Sequence, residues 1–184
     1  MNFGAIYRVD TANGIGCRTS LFVSGCTHHC KGCFQPETWD FQYGKPYTSV
    51  VEDYIVASLE PSYISGLTIL GGEPMEPANQ EALLPLIRRV HTMDKKTVWV
   101  YSGYTWEELT DQRNTRCHCA CTDEILRSID VLVDGEFHLE EKDISLQFRG
   151  SANQRIINVP ATLAKGSIVL TEYMTSRFRG ITIE

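Results

Sequence analysis

The sequence predicts an α/β fold with a mostly parallel sheet that is covered by helices. Short and nearly continuous apolar segments, typical of strands buried on both faces, alternate with segments of helical periodicity. Glycines follow these apolar segments, as at Gly71, Gly103 and Gly135. Because ligands bind at the carboxyl edge of such a sheet, we expect the strand ends to carry one site on that edge.

Composition and charge restrict the class of protein. The 184 residues, 42% hydrophobic and 22% charged, predict an ordinary globular chain of one domain. A net charge of −6 without a basic block argues against a nucleic-acid partner. The sequence has no run of about 18 apolar residues, so we expect no membrane span. The chain opens on polar residues and has seven cysteines, so we expect a reducing, cytoplasmic compartment in which thiols bind metal.

The first predicted strand spans residues 18–24, which are apolar and rich in β-forming residues. We place a helix at 49–60, because Ser49 and Glu52 fit a capping box and apolar residues then recur at helical spacing. Residues 67–70 predict the second strand.

A second helix and a third strand follow. Pro77 suits a first helical turn, whereas Pro85 lies inside the apolar stripe, and either a kink or a later helix start explains it. Residues 97–101 predict the third strand. Thr105 with Glu108 indicates the start of another helix.

The last predicted elements surround a polar insertion. Residues 110–121 are polar and predict an inserted loop. Thr122 suits the cap of a short helix that leads into a fourth strand at 129–133. Residues 167–170 predict a terminal strand or hairpin.

Three cysteines form the most informative motif, a C-x3-C-x2-C run of Cys26, Cys30 and Cys33. One short loop thereby presents three thiols to a polynuclear iron centre. Iron–sulfur clusters are usually held by four cysteines, so three leave one iron open to a substrate. The loop therefore predicts a reaction centre more readily than an electron carrier. A structural Cys3His zinc site with His28 or His29 is the alternative, although we expect these histidines to be solvated or indirect neighbours of the metal.

The motif, together with Gly71-Gly72-Glu73-Pro74 after the next strand, resembles the radical S-adenosylmethionine (SAM) enzymes. The activating proteins of anaerobic ribonucleoside-triphosphate reductase are similar at residues 23–26, 36–39, 99–104, 131–135 and 149–154. The resemblance runs in order from about residue 5 to residue 158. It implies a single domain of the radical SAM type, a partial (βα) barrel, at residues 1–159, and residues 160–184 form a C-terminal extension beyond the matching region.

The resemblance also implies the cofactors and the partner. A [4Fe–4S] cluster would bind Cys26, Cys30 and Cys33, and SAM would chelate the fourth iron. One electron, from a low-potential donor such as flavodoxin, would then cleave SAM to methionine and a 5′-deoxyadenosyl radical. The radical would take a hydrogen from a glycine near the C-terminus of the large reductase subunit. No catalytic residue is expected beyond the cluster and bound SAM.

The residues expected to contact the cofactor lie on the cysteine loop and at two strand ends. They are Gly32, Cys33, Phe34, Gly71, Gly72, Glu73 and Ser102. Without Cβ atoms, Gly71 and Gly72 let the backbone approach a ligand and receive the methionine amine, although a plain strand-to-helix turn explains them too. Ser102 suits a contact with the ribose or the carboxylate, or a tight turn.

Two competing functions remain open from the sequence. One is a radical SAM enzyme that acts on a small molecule. The other is a non-catalytic iron–sulfur electron carrier, which predicts a fully ligated metal and no affinity for SAM.

The run of Cys117, Cys119 and Cys121 departs from the family pattern. In an extended segment Cys117 and Cys121 would point the same way and Cys119 the opposite way. Either a second metal site with Cys17 or His118, or a thiol cluster without a role, explains the run.

Overall fold

The computed structural model describes residues 1–174, and those residues form a mixed α/β structure. The strands are β1 (Asn2–Asp10), β2 (Cys17–Val23), β3 (Lys45–Pro46), β4 (Ile64–Gly71), β5 (Thr97–Tyr101), β6 (Val131–Asp134) and β7 (Arg155–Asn158). The helices are α1 (Ser49–Leu59), α2 (Pro77–His91), α3 (Trp106–Thr110), α4 (Thr122–Ser128) and α5 (Val159–Lys165).

The seven strands form one sheet in the order β3-β1-β2-β4-β5-β6-β7. The four central strands pair in parallel, and the outer pairings β1–β2, β1–β3 and β6–β7 are antiparallel. The predicted α/β class is confirmed, but the sheet is mixed, and within residues 1–174 it is open rather than a closed barrel. The physical reason is local: β1 reaches β2 through a short turn, and such a connection permits only an antiparallel pair.

The helices cover one face of the sheet. Alternate residues of a strand point to opposite faces, so Val98 and Val100 of β5 join the helices in the main core, whereas Trp99 faces the other side. There Trp99 packs against Phe148 and Tyr173 from the loops that follow β6 and α5. The helical face therefore contains most of the buried apolar residues.

Two helix starts differ from the predictions, and one is confirmed. The N-cap of α1 is Thr48, whose side chain accepts the Val51 N–H, so the predicted cap at Ser49 is wrong. The cap position of α4 is Cys121, and Thr122 is its first helical residue. The box of Thr105 and Glu108 at α3 is present as predicted.

Helix α2 begins at Pro77, as predicted, and runs through Pro85 to His91. Pro85 is exposed, so its ring contacts solvent while neighbouring residues on the opposite side fill the core. The predicted strand at 167–170 is reduced to a single antiparallel bridge between Leu170 and Ile157. The end of the 160–184 extension, beyond residue 174, lies outside the described residues.

None of the helices within residues 1–174 is both long enough and apolar enough to cross a bilayer.

Candidate metal centre

The cysteine loop lies at the carboxyl edge of the parallel strands. It begins where β2 ends, and Gly72 N–H donates to Val23 O at 2.8 Å. The segment after β5 joins the same edge, because Ser102 N–H donates to Val133 O at 2.8 Å. The structure therefore brings together the ends of β2, β4, β5 and β6, as expected for one site.

The three predicted ligand thiols differ in burial. Cys26 is buried, and burial raises the pKa of its thiol to about 12. Cys30 and Cys33 are partly exposed and lie in one turn, closed by Cys33 N–H to Cys30 O at 3.1 Å. Burial also raises the pKa of Cys30. Two thiols near the surface and one buried beneath them suit a metal cluster that is itself partly exposed to solvent.

The donor set fits a cluster. It consists of thiols alone, which is the usual ligand type for iron–sulfur centres. Within residues 1–174, no three His, Cys, Asp or Glu side chains converge closely enough to hold a single metal ion. A cluster needs no such convergence, because each of its irons binds a separate thiolate.

His28, between two of these cysteines, is buried rather than solvated. Its Nε2 lies 3.1 Å from Glu73 Oε2, its Nδ1 lies 2.5 Å from Glu136 Oε1, and its side chain is 3% exposed. Burial alone would lower the pKa of His28, but Glu73 and then Glu136 hold it above its ordinary value. The ring also packs on Tyr104, with 4.3 Å between the ring centroids. His28 therefore connects the cysteine loop to the segments that follow β4 and β6.

Glu73 is 1% exposed, and its carboxylate is surrounded by donors. Oε1 accepts the Ser102 hydroxyl and the Met75 N–H, both at 2.8 Å, and Oε2 accepts the Gly103 N–H at 2.6 Å. The carboxylate thus joins the end of β4 to the end of β5. Contacts of Glu73 and Ser102 with a cofactor stay predictions, since both side chains already have partners in the protein.

Gly71 at the end of β4 and the following Gly72 are required by close backbone contacts with the end of β2 and the start of the cysteine loop. Gly71 has φ +106°, and a Cβ there would lie 2.7 Å from Val23 O. A Cβ on Gly72 would lie 2.6 Å from Gly25 O. The N–H groups of Gly72 and Glu73 already donate to the carbonyls of Val23 and Gly25. Because an amine donates hydrogen bonds, a ligand amine at this segment would have to donate to backbone carbonyl oxygens.

Phe34 and Gly32 form the outer flank of the loop. Phe34 is 65% exposed, packs on Phe137 with 5.1 Å between ring centroids, and lies 5.0 Å from Lys142 Nζ. Gly32 has φ +76°, and a Cβ there would lie 3.0 Å from Leu139. An exposed aromatic side chain thus borders the thiols, and its contact with a nucleoside remains a prediction.

Sequence reasoning missed two residues that hold the loop from the start of α2. Glu76 Oε1 accepts the N–H and the hydroxyl of Thr27 at 2.8 and 2.6 Å. Asn79 Nδ2 donates to Ser24 O at 3.0 Å and to Glu73 O at 2.9 Å. In the sequence they could have been recognised as two polar residues at the start of helix α2, where Glu76 is the N-cap and Asn79 is buried.

Segment 149–154 holds the backbone that follows β6. Asn153 Nδ2 donates to Glu136 O at 2.8 Å, and Gln154 Nε2 donates to Gly135 O at 2.9 Å. Arg149 in turn donates to Gln154 O at 2.8 Å. The segment therefore fixes the backbone of Glu136, one of the two partners of His28.

The second group of cysteines lies apart from Cys17. Cys17 begins β2, at the amino edge of the sheet, whereas residues 117–121 precede α4 near the opposite edge. His118 Nδ1 lies 2.8 Å from Leu109 O. The structure thus does not gather the ligands proposed for a second metal site.

A cavity of about 1020 Å³ lies at the amino edge of the sheet, and no cysteine lines it. Arg18 at its base donates to neutral acceptors, among them Thr68 Oγ1 and Thr97 O. On chemical grounds, the cysteine loop at the opposite edge is the candidate site.

A family model described as a 4Fe-4S single cluster domain matches residues 12–157. The fold and the thiol loop, with this match, define a protein of the single-cluster iron–sulfur class. The chain is 45% identical to the anaerobic ribonucleoside-triphosphate reductase-activating protein of Vibrio cholerae over 159 residues, 85% of this chain and 97% of the relative. The proteins of the same name from Escherichia coli K12 and phage T4 are 40% and 36% identical, over 84% and 85% of this chain and 96% and 93% of their own. The chain belongs to the family of anaerobic ribonucleoside-triphosphate reductase-activating proteins.

Proposed function

We propose that this chain activates an anaerobic ribonucleoside-triphosphate reductase by reductive cleavage of SAM at a [4Fe–4S] cluster. Cys26, Cys30 and Cys33 would hold the cluster, and the product would be a glycyl radical on the large reductase subunit. The observation that carries the proposal is the position of three thiols on one loop at the strand edge. Family membership supports the identity of the partner.

The cluster that these thiols would hold would supply one electron, received from a donor such as flavodoxin, for the cleavage of SAM to methionine and a 5′-deoxyadenosyl radical. That radical would take the glycine hydrogen and become 5′-deoxyadenosine. The residues of the chain position these groups. Glu76 and Asn79 hold the start of the cysteine loop, and His28 holds its middle. Carbonyl oxygens near Gly71 and Gly72 would receive the amine of SAM, and Phe34 would border its nucleoside.

The open sheet supports a protein substrate. We interpret the four parallel central strands as the partial barrel of the radical SAM type, with β1 and β7 added at its sides. A short sheet of this kind leaves the cysteine loop accessible to a peptide that carries the glycine. Reduced thiols at the site are consistent with action in the cytoplasm.

The test is an anaerobic assay. The chain is reconstituted with iron and sulfide, reduced with dithionite and mixed with SAM, and 5′-deoxyadenosine is quantified beside Cys26→Ala. We expect product from the wild type and none from the variant. A glycyl radical signal in electron paramagnetic resonance, dependent on added large subunit, would establish the protein substrate.

The competing functions give different outcomes. Product without any radical on the reductase would favour a small-molecule substrate. A reduced four-iron cluster that yields no product, even with the reductase present, would favour the electron carrier. Replacing Cys117, Cys119 and Cys121 together should leave the iron content intact, and loss of the iron would contradict the ligand assignment.

A further inference from the structure

Residues 117–121 are folded into turns rather than extended. Thr122 N–H donates to Cys119 O at 3.2 Å, and Cys121 has φ −88° and ψ −20°. This turn bends Cys121 back towards Cys119. Consecutive Cα atoms are about 3.8 Å apart, so a folded three-residue segment brings its outer Cα atoms into the range of about 4.4–6.8 Å that a disulfide spans.

The side chains follow the backbone. The side chains of Cys119 and Cys121 lie close enough to interact, and both residues are partly exposed. Burial, and then the neighbouring Cys119 thiol, raise the pKa of the Cys121 thiol. Two neighbouring, partly exposed thiols that are joined by a short segment lose little chain entropy when they become linked.

Cys117 is separated from this pair. It is 0% exposed, and its thiol points to Glu108 O at 3.4 Å. In an extended segment Cys117 and Cys121 would instead point to one side and Cys119 to the other. The turn therefore selects which two of the three thiols can react with each other.

The pair also contacts the segment that supports the cysteine loop. The Cys119 thiol donates to Gln80 Oε1 at 3.4 Å, and Gln80 Nε2 donates to Met75 O at 2.7 Å and to Cys117 O at 2.6 Å. Gln80 lies on α2, which also carries Asn79. A chemical change at the Cys119 sulfur would therefore alter the hydrogen bonds of the buried Gln80 amide, which lies next to Asn79, a residue that holds the cysteine loop.

We propose that Cys119 and Cys121 form a reactive dithiol that exchanges with small disulfides and closes to an intramolecular disulfide, with Cys117 excluded. One cysteine attacks the small disulfide as the thiolate, forms a mixed disulfide and releases one small thiol. The other cysteine then displaces the second small thiol. Two cysteine thiols are oxidised to one disulfide, the small disulfide is reduced to two thiols, and the two cysteine protons pass to the released thiolates.

The test uses the full chain with its reconstituted cluster and oxidised glutathione as the probe, under anaerobic conditions. After the reaction, free thiols are alkylated and the protein is digested with trypsin. Cleavage after Arg116 and Arg127 places all three cysteines in peptide 117–127. We expect this peptide with Cys117 alkylated and two hydrogens lost through a bond between Cys119 and Cys121, reversed by dithiothreitol.

Matched variants separate the pair from its neighbour. Cys119→Ser should lose the internal bond and stop at a glutathione adduct on Cys121, whereas Cys117→Ser should close as the wild type does. Full alkylation of all three cysteines, a bond that includes Cys117, or adducts that never close would each overturn the proposal. Iron content and 5′-deoxyadenosine, measured on the same samples, report separately on the proposed function.

Discussion

His28 joins three parts of the molecule: the cysteine loop, the end of β4 and the segment after β6. Its two ring nitrogens contact carboxylates that lie on different elements, and one of these, Glu73, is almost fully buried. Removing the imidazole would leave a buried carboxylate without the group that faces it. Such a loss is costly, because a buried charge keeps its desolvation penalty when its partner disappears.

We therefore expect His28→Ala to lower the free energy of unfolding by about 2–4 kcal/mol. The cysteine loop would lose its tie to both strand ends, so less iron should stay bound through gel filtration. Urea denaturation and iron analysis measure the two effects. The control is Lys31→Ala on the same loop: its exposed side chain forms a surface ion pair with Glu140 at 3.7 Å, and the variant should change stability by less than about 0.5 kcal/mol. Equal results for both variants would contradict the bridging role.

Cys117 provides a prediction about pH. Burial, followed by the negative charge of Glu108, raises the pKa of its thiol from the ordinary 9.0 to about 11. The folded state thus binds this proton more tightly than the unfolded state does. The resulting stability is complete below pH 9.0 and is lost as the pH rises towards 11.

In the wild type, the midpoint of urea denaturation should therefore fall as the pH rises from 9.0 to about 11. Cys117→Ala should fall less steeply over that range, because it lacks this proton. Parallel curves for the two proteins would show that the Cys117 thiol does not carry the effect.

At the scale of elements, the segment from Gly72 to Asn79 acts as the support of the cysteine loop. It approaches the loop through backbone at Gly72 and through side chains at Glu73, Glu76 and Asn79. Because the contact at Gly72 is backbone against backbone, no flexible side chain is present to yield to an added atom.

Gly72→Ala should consequently displace the loop. Its Cβ would lie 2.6 Å from Gly25 O and 3.0 Å from Thr38 O, so we expect a loss of about 1–3 kcal/mol and reduced iron binding. Gly166→Ala is the control: Gly166 ends α5 at φ +72° with no atom within 4 Å of a Cβ. That variant should lose about 1–2 kcal/mol through backbone strain and keep its iron. Normal iron in Gly72→Ala would show that the loop tolerates the displacement.

At the scale of the whole molecule, the core is complete without a metal. The main apolar cluster is formed by the strands and by one side of the helices, and Cys30 and Cys33 lie outside it. The cysteine loop is itself tied to the sheet by protein hydrogen bonds. The fold should therefore persist when the cluster is removed.

We expect the protein stripped of iron to keep its near-ultraviolet circular dichroism and to melt cooperatively. Because a bound cluster stabilises only the folded state, its removal should lower the melting temperature by about 4–8 °C, or ~2 kcal/mol. Calorimetry of both forms, with Cys30→Ala as the control that shows no difference between them, measures this. Unfolding of the iron-free protein would mean that the metal holds the fold together.

The elements that the sequence revealed are those with a strong local pattern. The strands β4, β5 and β6 are mostly apolar, β2 ends in the apolar run Leu21-Phe22-Val23, and the capping box at Thr105 can be read from four residues. The strands β1, β3 and β7 and the helix α5 were missed. β1 is half exposed along its length, β3 has two residues, and β7 has only two apolar residues between polar ends, so none offers a run or an alternation long enough to identify.

The sequence by itself determined the class of fold, the three thiols of one loop and the family that they indicate, because those signals lie between near neighbours in the chain. Only the tertiary structure decided that His28 meets Glu136, 108 positions away, and that Glu73 is occupied by Ser102. It also decided that residues 119–121 form a turn, which brings Cys119 near Cys121 and leaves the buried Cys117 apart. Contacts between distant residues depend on how the strands are ordered in the sheet, and no local spacing encodes that order.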